Sequence, residues 1–224
     1  VAEGRLFVTT QGGTVHCFGT DETEPVDRPI AATLEPFPQD ALSPVYAAAA
    51  EDLLQLSGVS KGYCIVLGGG SGRLAYELAS RSELRIVCIT VDAAETALTR
   101  RALSNTPFYG SRLTVAHPAP DDRSLPVPDY CANLIVCDAA TAKGTLPVDS
   151  EDIIRILRPY GGTICVGQPA IAPTRLDANA LCSWMPRSSE LTVDVTRERG
   201  TWARAVRGAL PGARNWTHQY GSAA

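Results

Sequence analysis

The sequence predicts a doubly wound α/β fold, with a mostly parallel sheet, helices on both faces and a C-terminal antiparallel hairpin. From Gly62 onward, short apolar runs such as "YCIVLG" and "RIVCITV" alternate with helical segments such as "GRLAYELASR". This alternation is typical of buried parallel strands joined by helices. The segment "LTVDVTRERGTWARAVRGA" has two alternating halves that meet at "RERG", which predicts the antiparallel hairpin at the sheet edge.

Three elements are predicted before the sheet. The stretch "GRLFVTTQGGTVHCFG" alternates apolar and polar residues on both sides of Gly12-Gly13, which indicates a hairpin with strands at about 5–9 and 14–18. The stretch "TDETEPVDRPIAATLEPFPQD" has no sustained period and is interpreted as a linker. A helix is predicted over "SPVYAAAAEDLLQLSGVS", with Ser43 as its cap and Pro44 at the first helical position.

The remaining elements follow in the same alternating order. The predicted strands are "RLTVA", "ANLIVCD" and "GTICVG". The predicted helices are "AAETALTRRALSN", "SEDIIRILRP" and a segment near "LDANALCSWM". A polar, aromatic tail, "LPGARNWTHQYGSAA", ends the chain.

Composition narrows the classes of partner. The 224 residues carry a formal net charge of -4, and the scattered Lys and Arg lack the concentrated basic field that nucleic acid requires, so we expect no nucleic-acid partner. No apolar run approaches the roughly 20 residues of a membrane span, so we expect no membrane segment. The 7 cysteines have no metal-ligand spacing, which predicts no metal site and favours small buried side chains in a reducing compartment such as the cytoplasm. Because the chain starts at Val1, we expect a processed product or an excised piece.

The segment "VLGGGSGRLAYELA" carries the strongest functional signal. It places Gly68, Gly70 and Gly72 as G-x-G-x-G between a predicted strand and a predicted helix. In an open α/β sheet, the first strand-to-helix turn adjoins the ligand crevice. The third glycine of a dinucleotide fingerprint, expected at position 73, is Arg73, which disfavours a pyrophosphate-binding loop. A nicotinamide-dependent oxidoreductase is therefore only the third hypothesis.

With "RIVCITVD", "ANLIVCD" and "ILRPYGG", this loop resembles class I S-adenosylmethionine-dependent methyltransferases over residues 62–167. The resemblance implies a Rossmann-like fold that ends in an antiparallel strand, S-adenosylmethionine as the small-molecule cofactor, and methyl transfer to an acceptor. Catalysis in this family is mostly alignment of the methyl group with the acceptor. The acceptor itself is not predicted.

The resemblance also implies individual site residues. Those expected at the cofactor are Gly68, Gly69, Gly70, Ser71, Gly72, Thr90, Val91, Asp92 and Asp121. Asp122 is the alternative to Asp121 beside the adenine, and a solvated loop is the structural interpretation of both. Asp138, at the end of a predicted strand, is the candidate catalytic or substrate-orienting group, or else a loop cap. His117 could serve as a base or simply pack.

Two positions depart from the family pattern. The acidic residue before the glycines corresponds to Val66, and the acidic residue that takes the ribose hydroxyls corresponds to Thr90, with Asp92 as a substitute if the turn is shifted. The loss of charge-assisted hydrogen bonds, each about 1.5–3 kcal/mol, would weaken cofactor binding. These departures support the second hypothesis, a catalytically silent α/β module that serves as a structural or partner-binding insert.

The termini resemble a different family. "EGRLFVTTQGGTVHCFG" and "NWTHQYGSAA" are similar to repeats of quinoprotein-type (PQQ-like) β-propellers. The resemblance implies a bacterial protein with a propeller domain in the same polypeptide, and it favours the periplasm. The expected organisation is a blade remnant at 1–20, a linker at 21–42, the methyltransferase-like domain at 43–210 and the start of a repeat at 211–224. The alternative is an edge hairpin and a tail of a lone domain.

Overall fold

The computed structural model describes residues 4–10, 14–20, 26, 32–118, 125–146 and 151–213. The chain divides into two compact units, Val1–Ala31 and Ala32–Ala224. The first unit contains the predicted hairpin, in which β1 (Leu6–Thr9) pairs antiparallel with β2 (Val15–Phe18). All eight residues of these two strands are exposed.

The second unit contains a seven-stranded sheet and its helices. Its strands are β3 (Lys61–Leu67), β4 (Glu83–Ile89), β5 (Leu113–Ala116), β6 (Leu134–Cys137), β7 (Thr163–Pro169), β8 (Leu191–Thr196) and β9 (Gly200–Arg207). Its helices are α1 (Ser43–Ser57), α2 (Arg73–Arg81), α3 (Ala93–Leu103), α4 (Asp138–Lys143), α5 (Glu151–Ile156) and α6 (Ala178–Trp184).

The strand order in this sheet is β5-β4-β3-β6-β7-β9-β8. The first five strands in this order are parallel, whereas β9 is antiparallel to both β7 and β8. The predicted doubly wound, mostly parallel fold with a C-terminal antiparallel hairpin is therefore confirmed. The chain moves outward from β3 in one direction and then returns to β6 on the other side, so the carboxyl ends of β3 and β6 form the topological switch point, where such sheets bind ligands.

Two hydrophobic clusters cover the two faces of the sheet. Alternate residues of β3 belong to different clusters: Cys64 and Val66 pack with α1 and α2, whereas Ile65 and Leu67 pack with α5 and α6. Because both faces are covered, residues 64–67 of β3 and all of β6 are apolar and buried. Four cysteines within the strands are buried as free thiols, as expected from the sequence: Cys64, Cys88, Cys137 and Cys165.

The start of α1 differs from the prediction. The helix begins at Ser43, but the carboxylate of Asp40 takes the capping role and accepts the N–H groups of Leu42 and Ser43 at 2.9 and 3.2 Å. The Ser43 hydroxyl instead accepts the N–H of Asp40 at 3.1 Å. The helix ends before Gly58, which adopts a left-handed conformation (φ 67°). In the described part of the chain, no helix is long and apolar enough to cross a bilayer.

Candidate functional site

A cavity of about 440 Å³ lies at the carboxyl ends of β3 and β4 and beside α4. Gly68, Val91 and Glu95 line one side, and Ala139 and Lys143 line the other. The parallel direction of β3, β4 and β6 brings the loops that follow them to this one edge. The volume lies within the range typical of small-molecule sites, about 300–1,000 Å³.

The glycine loop bonds mostly to the protein itself. Gly69 N–H donates to the Ile89 carbonyl at 3.1 Å, Gly70 N–H donates to the Gly68 carbonyl at 2.9 Å, and Gly72 N–H donates to the Gly69 carbonyl at 3.1 Å. The Ser71 hydroxyl accepts the N–H of Arg73 at 3.3 Å. Since these donors are already used, the loop offers a close-packed backbone edge to a ligand rather than a cradle of N–H groups for phosphate.

The glycines have different packing roles. A Cβ atom at Gly69 would overlap the sulfur of Cys88, and one at Gly72 would lie 2.8 Å from Thr99 Cγ2. These two positions therefore need glycine for contact between the loop and the elements around it. A Cβ atom at Gly70 would overlap the Glu95 carboxylate, so Gly70 is where the loop approaches an acidic side chain.

Glu95 is the site residue that the sequence analysis missed. It lies in the first turn of α3, is half-buried and lines the cavity. Its carboxylate forms no hydrogen bond or ion pair with a residue that the structure describes. The signal available in the sequence was an acidic residue three positions after the cap of a helix that follows the second strand of the sheet.

The three residues predicted at the end of β4 face different environments. Thr90 is fully buried, and its hydroxyl bonds to the Thr96 hydroxyl and the Ala116 carbonyl. Val91 is 77% exposed and lines the cavity. Asp92 caps α3 by accepting the N–H of Glu95 at 2.9 Å.

Asp138 is the first residue of α4, and its side chain contacts Tyr46 of α1. It is 3% exposed, and its Oδ1 accepts a hydrogen bond of 2.9 Å from the Tyr46 hydroxyl. Its Oδ2 is buried and has no hydrogen-bond partner among the described residues. Burial raises the pKa of Asp138 to about 7, and the bond from Tyr46 partly opposes this rise. The sequence placed Asp138 at the lip of the crevice, but the structure buries it.

The remaining positions considered in the sequence are Val66, His117, Asp121 and Asp122. Val66 is fully buried in the core on the same face of the sheet as Tyr46. His117 is half-buried, with Nδ1 at 3.3 Å from the Thr90 carbonyl oxygen. Asp121 and Asp122 lie outside the described residues.

A second cavity, a groove of about 590 Å³, lies beside the amino-terminal end of α1. Tyr46, Arg73 and Tyr76 line it. Arg73 is fixed there by a bidentate pair with Asp40, at 2.8 and 2.7 Å, and by the face of the Phe37 ring. Tyr46, whose hydroxyl bonds to Asp138, is therefore also a lining residue of this groove.

Comparisons with known proteins agree with this fold. No family model and no curated protein matches the chain. A protein from Methanococcus maripaludis that is assigned as an S-adenosyl-L-methionine-dependent methyltransferase has a similar structure, with TM-score 0.63, 16% identity, and coverage of 77% of this chain and 89% of that one. A SAM-dependent methyltransferase from Aquifex aeolicus gives TM-score 0.54 and 13% identity, covering 76% of this chain and 93% of that one.

The same fold also occurs with a different named activity. The [4+2]-cyclase SpnF matches with TM-score 0.54 and 16% identity, over 73% of this chain and 82% of that one. The chain therefore has the Rossmann-like fold of methyltransferases. Because one fold hosts several chemistries, the activity has to be argued from the site.

Proposed function

We propose that the protein is an S-adenosylmethionine-dependent methyltransferase and that the cavity beside Gly68 and Glu95 takes the adenosyl part of the cofactor. The observation that carries this proposal is Glu95, which lines the cavity and whose carboxylate lies beside Gly70 without a hydrogen-bond or ion-pair partner among the described residues. A ribose offers two adjacent hydroxyl donors, and a carboxylate accepts two hydrogen bonds side by side. Glu95 thus replaces, from the first turn of α3, the acceptor that Thr90 cannot supply.

The charge of the site favours this cofactor over a nicotinamide dinucleotide. A pyrophosphate would approach the glycine loop at Gly70, where the Glu95 carboxylate lies close to the backbone. The negative charges of the carboxylate and the pyrophosphate would repel each other. The N–H groups of Gly69, Gly70 and Gly72 are also bonded within the loop and at the end of β4. A sulfonium cofactor with no phosphate meets neither obstacle.

The chain's contribution to the reaction is binding and alignment. When bound, the cofactor supplies an electrophilic methyl group. The glycine loop and Glu95 fix the orientation of the cofactor, which reduces the entropic cost of bringing the methyl group and the acceptor into line. Asp138 remains the predicted catalytic or orienting residue, and Tyr46, which donates a hydrogen bond to it, lines the groove beside α1. In this arrangement Asp138 acts by holding the Tyr46 hydroxyl.

Titration calorimetry with S-adenosylhomocysteine tests the proposal on the wild type, Glu95→Gln and the control Glu51→Gln. Glu51 is an exposed residue of α1. Replacement of the charged acceptor removes about 1.5–3 kcal/mol, so we expect Glu95→Gln to weaken binding about 10- to 100-fold. We expect Glu51→Gln to match the wild type and NAD to give no heat. Equal affinities in all three proteins would refute the assignment of Glu95, and an absence of binding to folded wild type would refute the function.

The second candidate is the silent α/β module. It is favoured by the burial of Val66 and Thr90 at the positions where the family carries acids, and it predicts no binding of S-adenosylhomocysteine. The propeller partner within the polypeptide also remains a prediction. It is supported by β1 and β2, which expose Leu6 at 48%, Phe7 at 51% and Phe18 at 57%, while residues 214–224 of the tail lie outside the described residues.

A further inference from the structure

Two arginines, Arg175 and Arg197, share a pair of adjoining cavities outside the proposed cofactor site. The cavities have volumes of about 470 and 400 Å³, and both arginines line both of them. Arg175 lies in the segment after β7, and Arg197 lies in the turn between β8 and β9. Both side chains belong to exposed residues. Two arginine residues from different parts of the chain thus line the same space.

Eight of the fourteen arginines that the structure describes in the second unit use their side chains in ion pairs or, for Arg100 and Arg112, in hydrogen bonds to backbone carbonyls. Six arginines there form ion pairs with carboxylates: Arg73, Arg81, Arg155, Arg199, Arg204 and Arg207. Arg175 and Arg197 form no ion pair and no side-chain hydrogen bond with the described residues. The rest of the larger cavity's lining is neutral and includes Gln168, Thr174 and Thr201. The smaller cavity adds Asp177, whose carboxylate caps α6 by accepting the N–H of Asn179 at 2.9 Å.

The backbone that carries the two arginines is fixed in place. The buried Gln168 side chain bonds both the Thr174 carbonyl and the Leu176 N–H, one on each side of Arg175. Ala170 N–H donates to the Arg199 carbonyl at 3.0 Å, which ties the turn of Arg197 to the end of β7. The backbone of both arginines is therefore held in place, so an anion that binds between them costs little backbone ordering.

The arginine cavities adjoin the proposed cofactor cavity. The Thr174 hydroxyl donates to the Ala142 carbonyl at 3.2 Å, and a Cβ atom at Gly144 would lie 3.5 Å from the Arg175 carbonyl. Lys143 and Thr145, on either side of Gly144, line the cofactor cavity. One short segment of chain thus separates the two spaces, which is the relation expected between a cofactor and the remote part of its acceptor.

We propose that Arg175 and Arg197 bind a phosphate monoester group, and that this group belongs to the methyl acceptor. The acceptor part of the inference rests on the proposed function, whereas binding of phosphate does not. A phosphate monoester carries a charge of about -1.5 to -2 at neutral pH and several acceptor oxygens, which matches two unneutralised guanidinium groups. Arginine binds such oxyanions through paired N–H donors.

An NMR titration, followed through backbone amide chemical shifts, tests whether phosphate binds at these arginines. The two ligands are inorganic phosphate and, at equal ionic strength, acetate. We expect saturable shifts at residues 170–172 and 174–176 and at Thr201 with phosphate in the wild type and in the control Arg101→Gln, which removes an exposed arginine of α3. We expect Arg175→Gln and Arg197→Gln each to weaken phosphate binding about tenfold or more. Equal binding in these variants, or no shifts in these segments, would overturn the proposal. Equal affinity for acetate would overturn the choice of phosphate.

A separate titration of the same samples with S-adenosylhomocysteine distinguishes this inference from the proposed function. Cofactor binding that persists in Arg175→Gln and Arg197→Gln, together with loss of phosphate binding, supports both. If phosphate binds but S-adenosylhomocysteine does not, the anion site stands and the acceptor role falls with the methyltransferase proposal. If S-adenosylhomocysteine binds but phosphate does not, the anion site alone is refuted.

Discussion

Asp138→Asn should remove a specific pH dependence of stability. The pKa of Asp138 is raised by burial from the usual 3.8 to about 7 in the folded protein. Between about pH 4 and 7 the unfolded chain has lost this proton while the folded chain retains it, so unfolding releases a proton and stability falls as pH rises. At about 1.36 kcal/mol per pKa unit, the wild type loses about 4 kcal/mol from this group across that interval.

Urea unfolding of the wild type and Asp138→Asn at a series of pH values measures this effect. Since asparagine does not titrate, the free energy of unfolding of the variant, relative to the wild type, should increase by about 4 kcal/mol between pH 4 and pH 8. Glu198→Gln is the control, because Glu198 is exposed in the turn between β8 and β9 and its carboxylate forms no ion pair with a described residue, and its difference from the wild type should stay nearly constant. The reasoning is refuted if the Asp138→Asn difference is the same at pH 4 and pH 8.

Two further predictions concern the surroundings of the site. Tyr46→Phe removes the 2.9 Å hydrogen bond to Asp138. We expect this substitution to cost about 1–3 kcal/mol of stability and to raise the pKa of Asp138 further. A carboxyl titration by NMR that shows no upward shift of this pKa would contradict the prediction. Gly72 (φ +75°) and Gly110 (φ +78°) share a left-handed conformation, but a Cβ atom would meet Thr99 at 2.8 Å at Gly72 and nothing within 4 Å at Gly110. Replacement by alanine should therefore lower the stability of the protein by about 1–3 kcal/mol more at Gly72 than at Gly110, as measured by thermal unfolding. Equal losses at the two positions would show that backbone strain alone accounts for the effect at Gly72.

The fold was predictable because its strands are buried on both faces. The apolar runs around Ile65 and Ile135 indicated buried parallel strands, because a helical pattern follows each of them. The alternating halves around "RERG" indicated the terminal hairpin. The short helix α4 was missed, because six residues after a strand give no helical period to detect. The cap of α1 was also missed, since Asp40 reaches the helix from a preceding turn whose geometry the sequence does not specify.

The site was only partly predictable, because side-chain direction depends on packing between elements. The glycine loop was located correctly at the switch point of the sheet. The family resemblance implies an acid at the end of β4, where the chain has Thr90, whereas Glu95 lines the cavity from one helical turn further along. Asp138 was expected at the lip of the crevice, but the contact with Tyr46 on α1, which is distant in sequence, encloses it. The pairing of Arg175 with Arg197 likewise arises only when β7 and β9 become neighbours.

A crystal structure with S-adenosylhomocysteine tests the central claim most directly. The quantity to measure is the distance from the Glu95 carboxylate oxygens to the ribose hydroxyls of the bound ligand. The account predicts that both hydroxyls lie at hydrogen-bond distance, about 2.5–3.0 Å, with the adenosyl part beside Gly68. A ligand in another cavity, or a ribose that leaves Glu95 without contact, would contradict it.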